Sequence, residues 1–406
     1  DDFHPYVLKT TDFGKTWAPI AVGIPLDDYV YTVRQDPNAT NLFFLTTKST
    51  VYVSFDGAAH WQPLTLNLPN VEVRDLAFNA REGKVVIATH GRSMWVLDNL
   101  TLLEQLSNPA PASANGAVLY APQRAWLTYA YGGGFGGNAN AAGNGENPPF
   151  GATVIFYVPK SYDGSTPATL TFKDAAGNVV RSFALHLKSK AKPEAPSERY
   201  HPTEDKEHAY ARLTGIGPGM NVFQWDLRYP DAVEVTGFEP SGSGGGLEDS
   251  LLGPQIVPGN YTVTLDYGGT QTSQPLVLTL DPRATATAED LAARRDFGLK
   301  IHALQDDLDR TVNAAVAARA KVPTGSAAAT QLDAAIAAVV DLVHVQADEG
   351  SLLYESRLRN FVAYLNAEVD TGYVRPTAAE YMIYAKLSTD VANAETQLKA
   401  AINAAH

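Results

Sequence analysis

Acidic, basic and imidazole side chains with the potential for chemistry lie between positions 72 and 92. Asp75 lies beside Arg74, and His90 and Arg92 follow in the next β-rich segment. Glycoside hydrolysis requires two carboxylates facing the sugar from opposite sides, and cations beside them help to hold an anionic substrate. The alternative interpretation is that these are ion-paired strand residues, which contribute little on a surface. Asp75, Arg74, His90 and Arg92 are therefore the catalytic candidates, and no complete catalytic set is identified.

Other catalytic and metal-binding motifs are missing from the sequence. It contains no Gly-x-Ser-x-Gly elbow, no His-Glu-x-x-His helix and no Asp-rich calcium loop. The absence of cysteine excludes disulfides, zinc–thiolate sites and a cysteine nucleophile. We therefore predict neither a cofactor nor a metal ion.

Charge and hydropathy exclude two classes of partner. The formal net charge is −13 with a pI near 5.1, and no cluster of Lys and Arg offers a surface for phosphates, so nucleic acid is not an expected partner. No apolar run approaches the roughly 20 residues that span a bilayer. The acidic start does not resemble a signal peptide, so the chain is expected to begin after processing or inside a longer gene product. The Asn, Thr, Gly and Tyr content of its β-rich segments is typical of a secreted, periplasmic or cell-surface protein.

Two similar segments near the start of the chain form an internal repeat. Residues 10–17 read TTDFGKTW and residues 54–61 read SFDGAAHW, and the aspartates at 12 and 56 are 44 positions apart. A period of about 40–50 residues is typical of β-propeller blades. The motif positions, which we interpret as structural rather than catalytic, are Thr10, Asp12, Gly14, Thr16, Trp17, Ser54, Asp56 and Trp61.

Interactions within a single turn account for the residue types of the motif. An Asp carboxylate accepts backbone N–H bonds inside a tight turn, a Gly supplies a positive φ, and a Trp packs against a neighbouring unit. In the second copy Ala58 replaces the glycine and Gly57 comes one place early, so we expect a deformed turn there.

Short β-branched and aromatic runs give about four strands per period, and a third copy begins at Val71. Two and a half blades leave sheet edges and faces uncovered, so the N-terminal remainder of the propeller must come from upstream or from a separate chain. In such a ring the innermost strands supply the residues nearest the central channel, which here are Asp27, Asp28, Tyr31, Arg34, Glu72, Arg74 and Asp75.

The repeat resembles the Asp-box, or BNR, repeat of sialidases, sortilin-type receptors and some polysaccharide hydrolases. The chain is similar to large bacterial proteins with sortilin-like or "glycosyl hydrolase" propellers, through residues 9–17, 51–56 and the ATHGRSMWVLD run at 88–98. The likeness continues through residues 147–152 to the Pro-Thr-Ala helix start at 376–378. It implies architecture more than activity, and the Arg-Ile-Pro signature of sialidases is missing from the chain.

The remaining sequence changes character twice. After a Pro/Ala/Ser-rich linker, strands at sandwich spacing alternate with a glycine-rich loop at 131–147 and a charged stretch at 188–212 that holds two histidines. From Thr287 apolar residues recur at helical spacing in four segments. We predict a multidomain, mainly β plus α protein with three parts: partial propeller blades at 1–107, a fibronectin III- or immunoglobulin-like β-sandwich at 108–285, and an antiparallel helical bundle at 286–406.

Two functions remain open at this stage. The first is an exported, sortilin-like binding or scaffold module for protein, peptide or glycan ligands. The second is a sialidase- or glucanase-like glycoside hydrolase with its catalytic acids mostly on the missing N-terminal blades. The first is favoured because the chain shows no pair of acids in a recognisable setting.

Overall fold

The computed structural model describes residues 2–109, 112–128, 150–188, 215–238, 251–343 and 355–405. The chain forms two compact units, one of residues 1–124 and 155–159, the other of residues 125–154 and 160–406. β-Strands dominate the first unit, and the second combines β-strands with the C-terminal helices. The protein is thus mainly β plus α, as the sequence predicts.

The first unit begins with antiparallel strands that follow one another along the chain. They are β1 Leu8–Lys9, β2 Ala18–Pro19, β3 Val30–Gln35, β4 Phe43–Thr47, β5 Val51–Ser54, β6 Gln62–Pro63, β7 Val73–Asn79, β8 Lys84–Thr89 and β9 Met94–Leu97. β1 and β2 form one sheet, β3 to β6 a second and β7 to β9 a third, each with its spatial order equal to its chain order.

Buried apolar side chains hold the second and third sheets together. In β4 and β5 nearly every side chain is buried, which matches their β-branched and aromatic composition. The rings of Phe44 and Phe78 meet edge to face at 5.6 Å. Burial of this kind stabilises by about 25 cal/mol per Å² of apolar surface. The fully buried members of the cluster are Leu42, Phe44, Val53, Val73 and Leu100.

A helix and a short strand follow the ninth strand. Helix α1, Leu100–Ser107, buries Leu100, and strand β10 is Val118–Leu119. After β11, Ala125–Leu127, comes β12, Ala152–Val158, which pairs with β10. The boundary between the two units falls within β12, because the first unit includes it only from Ile155 onward.

The second unit contains a six-stranded sheet of mixed direction. Besides β11, it contains β13 Ala168–Lys173, β14 Val179–Leu187, β15 Gly215–Ile216, β17 Gly259–Tyr267 and β18 Thr270–Leu280. Strand β16, Gly219–Trp225, belongs to another sheet. The sheet has the order β11-β18-β17-β13-β14-β15. β11 runs parallel to β18 and β14 parallel to β15, whereas the central pairs are antiparallel.

The large aromatic residue predicted for a core strand is confirmed. Trp225 at the end of β16 has no exposed surface and stacks on Phe172 of β13 with ring centroids 4.1 Å apart. Phe183 and Phe223 extend the same aromatic cluster. Large buried rings dominate core energetics, so this cluster is the centre of the sheet's packing.

The C-terminal region contains four described helices, of which three begin at the starts that the sequence predicts. They are α2 Ala288–Arg319, α3 Ala327–Ala337, α4 Leu358–Asp370 and α5 Ala378–Ala404. Thr287 and Thr377 both form capping boxes, with Asp290 and Glu380 as their partners, and Ser326 accepts from the N–H of Ala329. The four helices share one apolar core.

Several predicted features fall outside the described residues. These are the glycine-rich loop at 131–147, the residues of the charged stretch beyond 188 and residues 352–354 of the helix predicted from 352. That helix was predicted too early, because residues 355–357 are not helical and the capping contact from the Arg357 backbone N–H to Asn360 Oδ1 starts it at Leu358. Of the helices that the structure describes, none combines the length and apolar character needed to cross a bilayer.

Candidate functional site

Two β-bulges place side chains from neighbouring strands against each other. In β3 the pairing with β4 skips Tyr31, between Val30 and Thr32. In β7 the pairing with β8 skips Arg74, between Val73 and Asp75. A bulge turns the extra residue out of the pleat and re-aims its side chain. The two extra residues meet, because the Arg74 guanidinium lies 4.6 Å from the centre of the Tyr31 ring.

Charged and aromatic groups continue on either side of this contact. We use the name polar strip for the residues Tyr29, Tyr31, Arg34, Glu72, Arg74, Asp75 and His90. Arg34 of β3 donates from Nη2 to Asp75 Oδ1 of β7 over 3.0 Å, and both side chains are about half exposed. The same Asp75 oxygen accepts the backbone N–H of Leu76 at 2.8 Å. One end of the polar strip is therefore an exposed ion pair that joins the two strands.

Glu72 is the centre of a second charged group. Arg74 Nη2 lies 2.8 Å from Glu72 Oε1, and His90 Nδ1 lies 3.0 Å from Glu72 Oε2. The His90 backbone N–H also donates to the Glu72 carbonyl at 2.8 Å. His90 Nδ1 and Arg74 Nη2 are 3.2 Å apart, so Nδ1 accepts from Arg74 when it is unprotonated and donates to Glu72 when it is protonated.

Two tyrosines form the aromatic part of the polar strip. The hydroxyls of Tyr29 and Tyr31 are 3.0 Å apart, and their rings meet edge to face at 5.2 Å. Lys48 Nζ lies 6.0 Å from the centre of the Tyr29 ring and 3.7 Å from Asp27 Oδ2. The two tyrosine rings thus lie side by side between two cations, Lys48 and Arg74.

Asp28 lies beneath this surface and has a different role. It is buried, and its Oδ2 accepts hydrogen bonds from Thr47 Oγ1 at 3.0 Å, Ser49 Oγ at 2.7 Å and Tyr52 OH at 3.1 Å. Burial, followed by the hydrogen bond to Asp28, raises the pKa of Tyr52 to about 12. Asp28 therefore fixes the β4–β5 hairpin and is not exposed to solvent.

The structure brings together three of the four catalytic candidates. Asp75, Arg74 and His90 all belong to the polar strip. Arg92 instead lies in the exposed turn after β8, where Gly91 and Ser93 have positive φ, and its carbonyl accepts the indole N–H of Trp95 at 2.9 Å. The role of Tyr29 was missed, since neither its spacing nor its type distinguishes it from a core aromatic.

The turn at residues 10–17, here the first turn, is organised around Asp12. Its Oδ1 accepts from the Thr16 N–H and from Thr10 Oγ1, both at 2.9 Å, and its Oδ2 accepts from Thr16 Oγ1 at 2.7 Å. The hydrogen bond from the Thr16 hydroxyl, more than any other contact, lowers the pKa of Asp12 to about 2. Trp17 donates from Nε1 to the Gly14 carbonyl at 3.2 Å.

The second turn, residues 54–61, repeats the same geometry with different side chains. Asp56 Oδ1 accepts from Ser54 Oγ and from the His60 N–H, and His60 Nδ1 takes the place of the Thr16 hydroxyl at 2.7 Å from Asp56 Oδ2. Burial raises the pKa of Asp56, but the bonds from His60 and Ser54 outweigh it and hold the pKa well below its usual range.

The expected deformation of the second turn is wrong. The φ angles of Phe13 and Gly14 are 60° and 88°, and those of Gly57 and Ala58 are 75° and 71°, so both turns adopt two left-handed residues in succession. Each turn therefore contains one glycine and one strained residue, in opposite order. A residue other than glycine in this region costs about 1–2 kcal/mol, which the bonds to the aspartate offset.

The described residues contain no group of three or more His, Asp or Glu side chains that could hold a metal ion.

Comparisons with known proteins give little. No protein family and no curated protein matches the sequence. Among solved structures the chain is similar, at 10% identity and a TM-score of 0.21, to the extracellular domain of a B. thetaiotaomicron protein described as a hybrid two component system, over 68% of this chain and 29% of that one. A second, from the same organism and described as a one component system, gives 9% identity and a TM-score of 0.18 over 69% and 28%. The chain thus spans less than a third of either structure, and such similarity assigns neither fold nor function.

Proposed function

We propose that this chain belongs to an exported Asp-box repeat protein whose polar strip is a non-catalytic ligand-binding surface. The observation that supports this most is the contact between the two bulged residues, Tyr31 and Arg74. Bulges at equivalent places in successive sheets are costly interruptions of the ladder, and they are typical of sites where a side chain must be re-aimed for function.

The same proposal extends to architecture. The sheets β3–β6 and β7–β9 are consecutive antiparallel meanders whose first strands are joined by the Arg34–Asp75 pair. This is the arrangement expected of neighbouring blades in a propeller with its innermost strands side by side. The aromatic-centred sheets of the second unit suit a β-sandwich, and the C-terminal helices suit an antiparallel bundle that acts as an accessory part.

The polar strip has the composition of a recognition surface. Tyr and Arg are enriched among the residues that contribute most to binding, because they combine a large flat surface with directional hydrogen bonds. Arg34 and Arg74 of the polar strip are each paired with an acidic residue, as is Lys48 beside it, so the strip offers donors and acceptors together and no excess of positive charge. The ligand that suits it is a protein, peptide or glycan segment that carries polar groups beside faces able to stack on tyrosine.

Binding is favoured over hydrolysis by the state of the two carboxylates. Asp75 is paired with Arg34, and Glu72 is paired with both Arg74 and His90. Both carboxylates are thus engaged by cations of the chain itself, whereas a glycosidase needs two carboxylates that face the sugar from opposite sides. A hydrolase would need its proton donor elsewhere, on blades that this chain does not contain.

The test is a screen of the purified chain against glycan and peptide arrays, followed by titration of the best ligand with variants. Arg74→Ala and Tyr31→Ala are each expected to weaken binding by about tenfold or more, since truncating an anchoring Tyr or Arg costs roughly 2 kcal/mol. Arg81→Ala is the matched control, because Arg81 is an exposed arginine of the same unit outside the polar strip.

Two results would overturn the proposal. One is binding that is as tight with Arg74→Ala as with the unchanged chain. The other is turnover of a glycan that Asp75→Asn abolishes, which would support the hydrolase interpretation instead.

A further inference from the structure

The two equivalent tryptophans of the repeat have opposite surroundings. Trp17 and Trp61 occupy the same place after turns of the same geometry, yet Trp61 is 4% exposed and Trp17 is 58% exposed. Indole burial is among the largest single apolar contributions a side chain can make. The difference therefore lies in what covers each ring and not in the turns themselves.

Trp61 is covered by the chain segment that follows the first turn. Its indole N–H donates to the Ile20 carbonyl at 2.6 Å, and its backbone N–H donates to the Val22 carbonyl at 2.9 Å. Gly23 approaches so closely that a Cβ there would lie 2.2 Å from the Trp61 carbonyl oxygen. Val7 and Ile24 complete the apolar contact, with Leu45, Tyr52 and Ala58 from the second copy.

A polar contact accompanies this packing. Lys9 of β1 donates from Nζ to the carbonyl of Gly57 in the second turn at 2.9 Å. The first copy thus makes two polar contacts with the second. Its Ile20 carbonyl accepts the indole N–H of Trp61, and its Lys9 donates to the second turn. The interface between the first and second copies defines what an Asp-turn tryptophan of this kind binds.

The first copy presents the same surface, and Trp17 there is 58% exposed. Its indole N–H donates to the Gly14 carbonyl of its own turn, whereas that of Trp61 donates to the Ile20 carbonyl. Further large apolar side chains of the first copy and of the residues before it are also exposed: Phe3, Tyr6, Leu8 and Phe13. β1 and β2 form a sheet of only two strands, where the second copy has four.

We infer that the Trp17 surface binds a preceding repeat of the same kind, carried by the same polypeptide before Asp1. Such a repeat would supply a segment equivalent to residues 20–23, whose carbonyls accept from the Trp17 indole and backbone N–H groups. It would also place a long cationic or polar side chain at the carbonyl of Phe13, which corresponds to Gly57. The inference depends on the contact between successive copies and needs no closed ring and no ligand.

Hydroxyl-radical footprinting read by mass spectrometry tests this surface. In the 406-residue chain Trp17 is expected to oxidise several times faster than Trp61, in line with its exposure. In the polypeptide extended upstream, Trp17 is expected to slow to the rate of Trp61. Met94, which is exposed and belongs to neither turn, is the internal control and keeps its rate in both.

A pair of variants gives a second readout. Trp17→Ala is expected to leave the melting temperature of the 406-residue chain nearly unchanged and to lower that of the extended polypeptide. The inference is overturned if Trp17 oxidises equally fast in the extended polypeptide, or if no such repeat is encoded before Asp1. Protection of Trp17 in the 406-residue chain that rises with protein concentration would also overturn it, because the occupant would then be a second copy.

Discussion

Arg359 donates from Nε to Asp309 Oδ1 over 3.1 Å in the interior of the helical region, where neither side chain has exposed surface. The guanidinium also lies 4.4 Å from the centre of the Phe238 ring. Burial raises the pKa of Asp309 to about 6, although the charge of Arg359 opposes that shift. The desolvation of this carboxylate therefore outweighs its attraction to the guanidinium, as is common for buried pairs.

Removing one partner of this pair should be more damaging than removing both. Arg359→Met leaves a buried carboxylate without its cation, which is expected to lower the free energy of unfolding by about 3–5 kcal/mol. Arg359→Met with Asp309→Leu is expected to recover much of that loss. Arg319→Met, which breaks the half-exposed pair with Asp333, is the control and should cost about 0–1 kcal/mol. Urea denaturation measures all three, and equal losses for the single and double variants would contradict the argument.

The raised pKa of Asp309 also predicts the direction of a pH effect. The folded-state pKa of about 6 exceeds the ordinary value of 3.8, so the folded protein holds this proton more tightly than the unfolded chain. Its contribution is complete below pH 3.8 and is lost as the pH rises toward 6. Relative to Asp309→Asn, the unchanged protein is expected to lose up to about 3 kcal/mol across that window. If the free energy of unfolding of the two proteins changes with pH in parallel, the folded state does not hold the Asp309 proton more tightly than the unfolded chain does.

Local signals predicted the helices well and the polar strip poorly. Thr287, Ser326 and Thr377 announce helix starts because an N-cap acts within a few residues of chain. Strand β18 carries a weaker local signal, because Pro275 lies inside it and a proline normally argues against a strand. No local signal announces the bulges at Tyr31 and Arg74, since a bulge depends on register with a partner strand.

Polar contacts between residues far apart in the chain were likewise not predictable from the sequence. Asp309 and Arg359 are separated by 50 positions, and each type is normally exposed, so helical spacing alone predicts neither their burial nor their pairing. The repeat allowed Asp12 and Asp56 to be interpreted as turn residues because each acts on its own neighbours. The sequence therefore predicts contacts within a turn, which depend on neighbouring residues, but it does not predict contacts between separate elements.

Asp370 should be the most sensitive single acid of the second unit. Its Oδ2 lies 2.6 Å from Arg228 Nη2 and its Oδ1 lies 3.3 Å from Arg294 Nη2. Asp370→Ala would remove the carboxylate that pairs with two largely buried guanidinium groups, and we expect a loss of about 3–5 kcal/mol in the free energy of unfolding. Asp390→Ala, which removes the partner of the exposed Lys386, should cost about 0–0.5 kcal/mol. Similar values for both variants in thermal denaturation would exclude this role.

Asp12 of the first turn should titrate far below the pKa of an ordinary aspartate. With a pKa of about 2, Asp12 contributes stability that is complete above pH 3.8 and is lost as the pH falls through 2. Carbon-detected NMR of the carboxyl groups measures the midpoint directly. Thr16→Val removes the hydroxyl donor and is expected to move the midpoint toward 3.8, whereas Thr11→Val, a change of the same type next to Asp12, is expected to leave it in place. An unmoved midpoint in Thr16→Val would assign the shift to other contacts.

Two glycines with the same backbone handedness should differ sharply in their tolerance of a methyl group. Gly14 and Gly23 have φ of 88° and 99°, so alanine at either position adopts a left-handed conformation that costs about 1 kcal/mol. A Cβ at Gly14 would meet only the Trp17 ring at 3.9 Å, but at Gly23 it would lie 2.2 Å from the backbone oxygen of Trp61. Backbone cannot yield as a flexible side chain does, so Gly23→Ala is expected to cost about 1–3 kcal/mol more than Gly14→Ala. Denaturant melts of the two variants decide the point, and equal losses would mean that the contact between Gly23 and Trp61 is loose enough to relax.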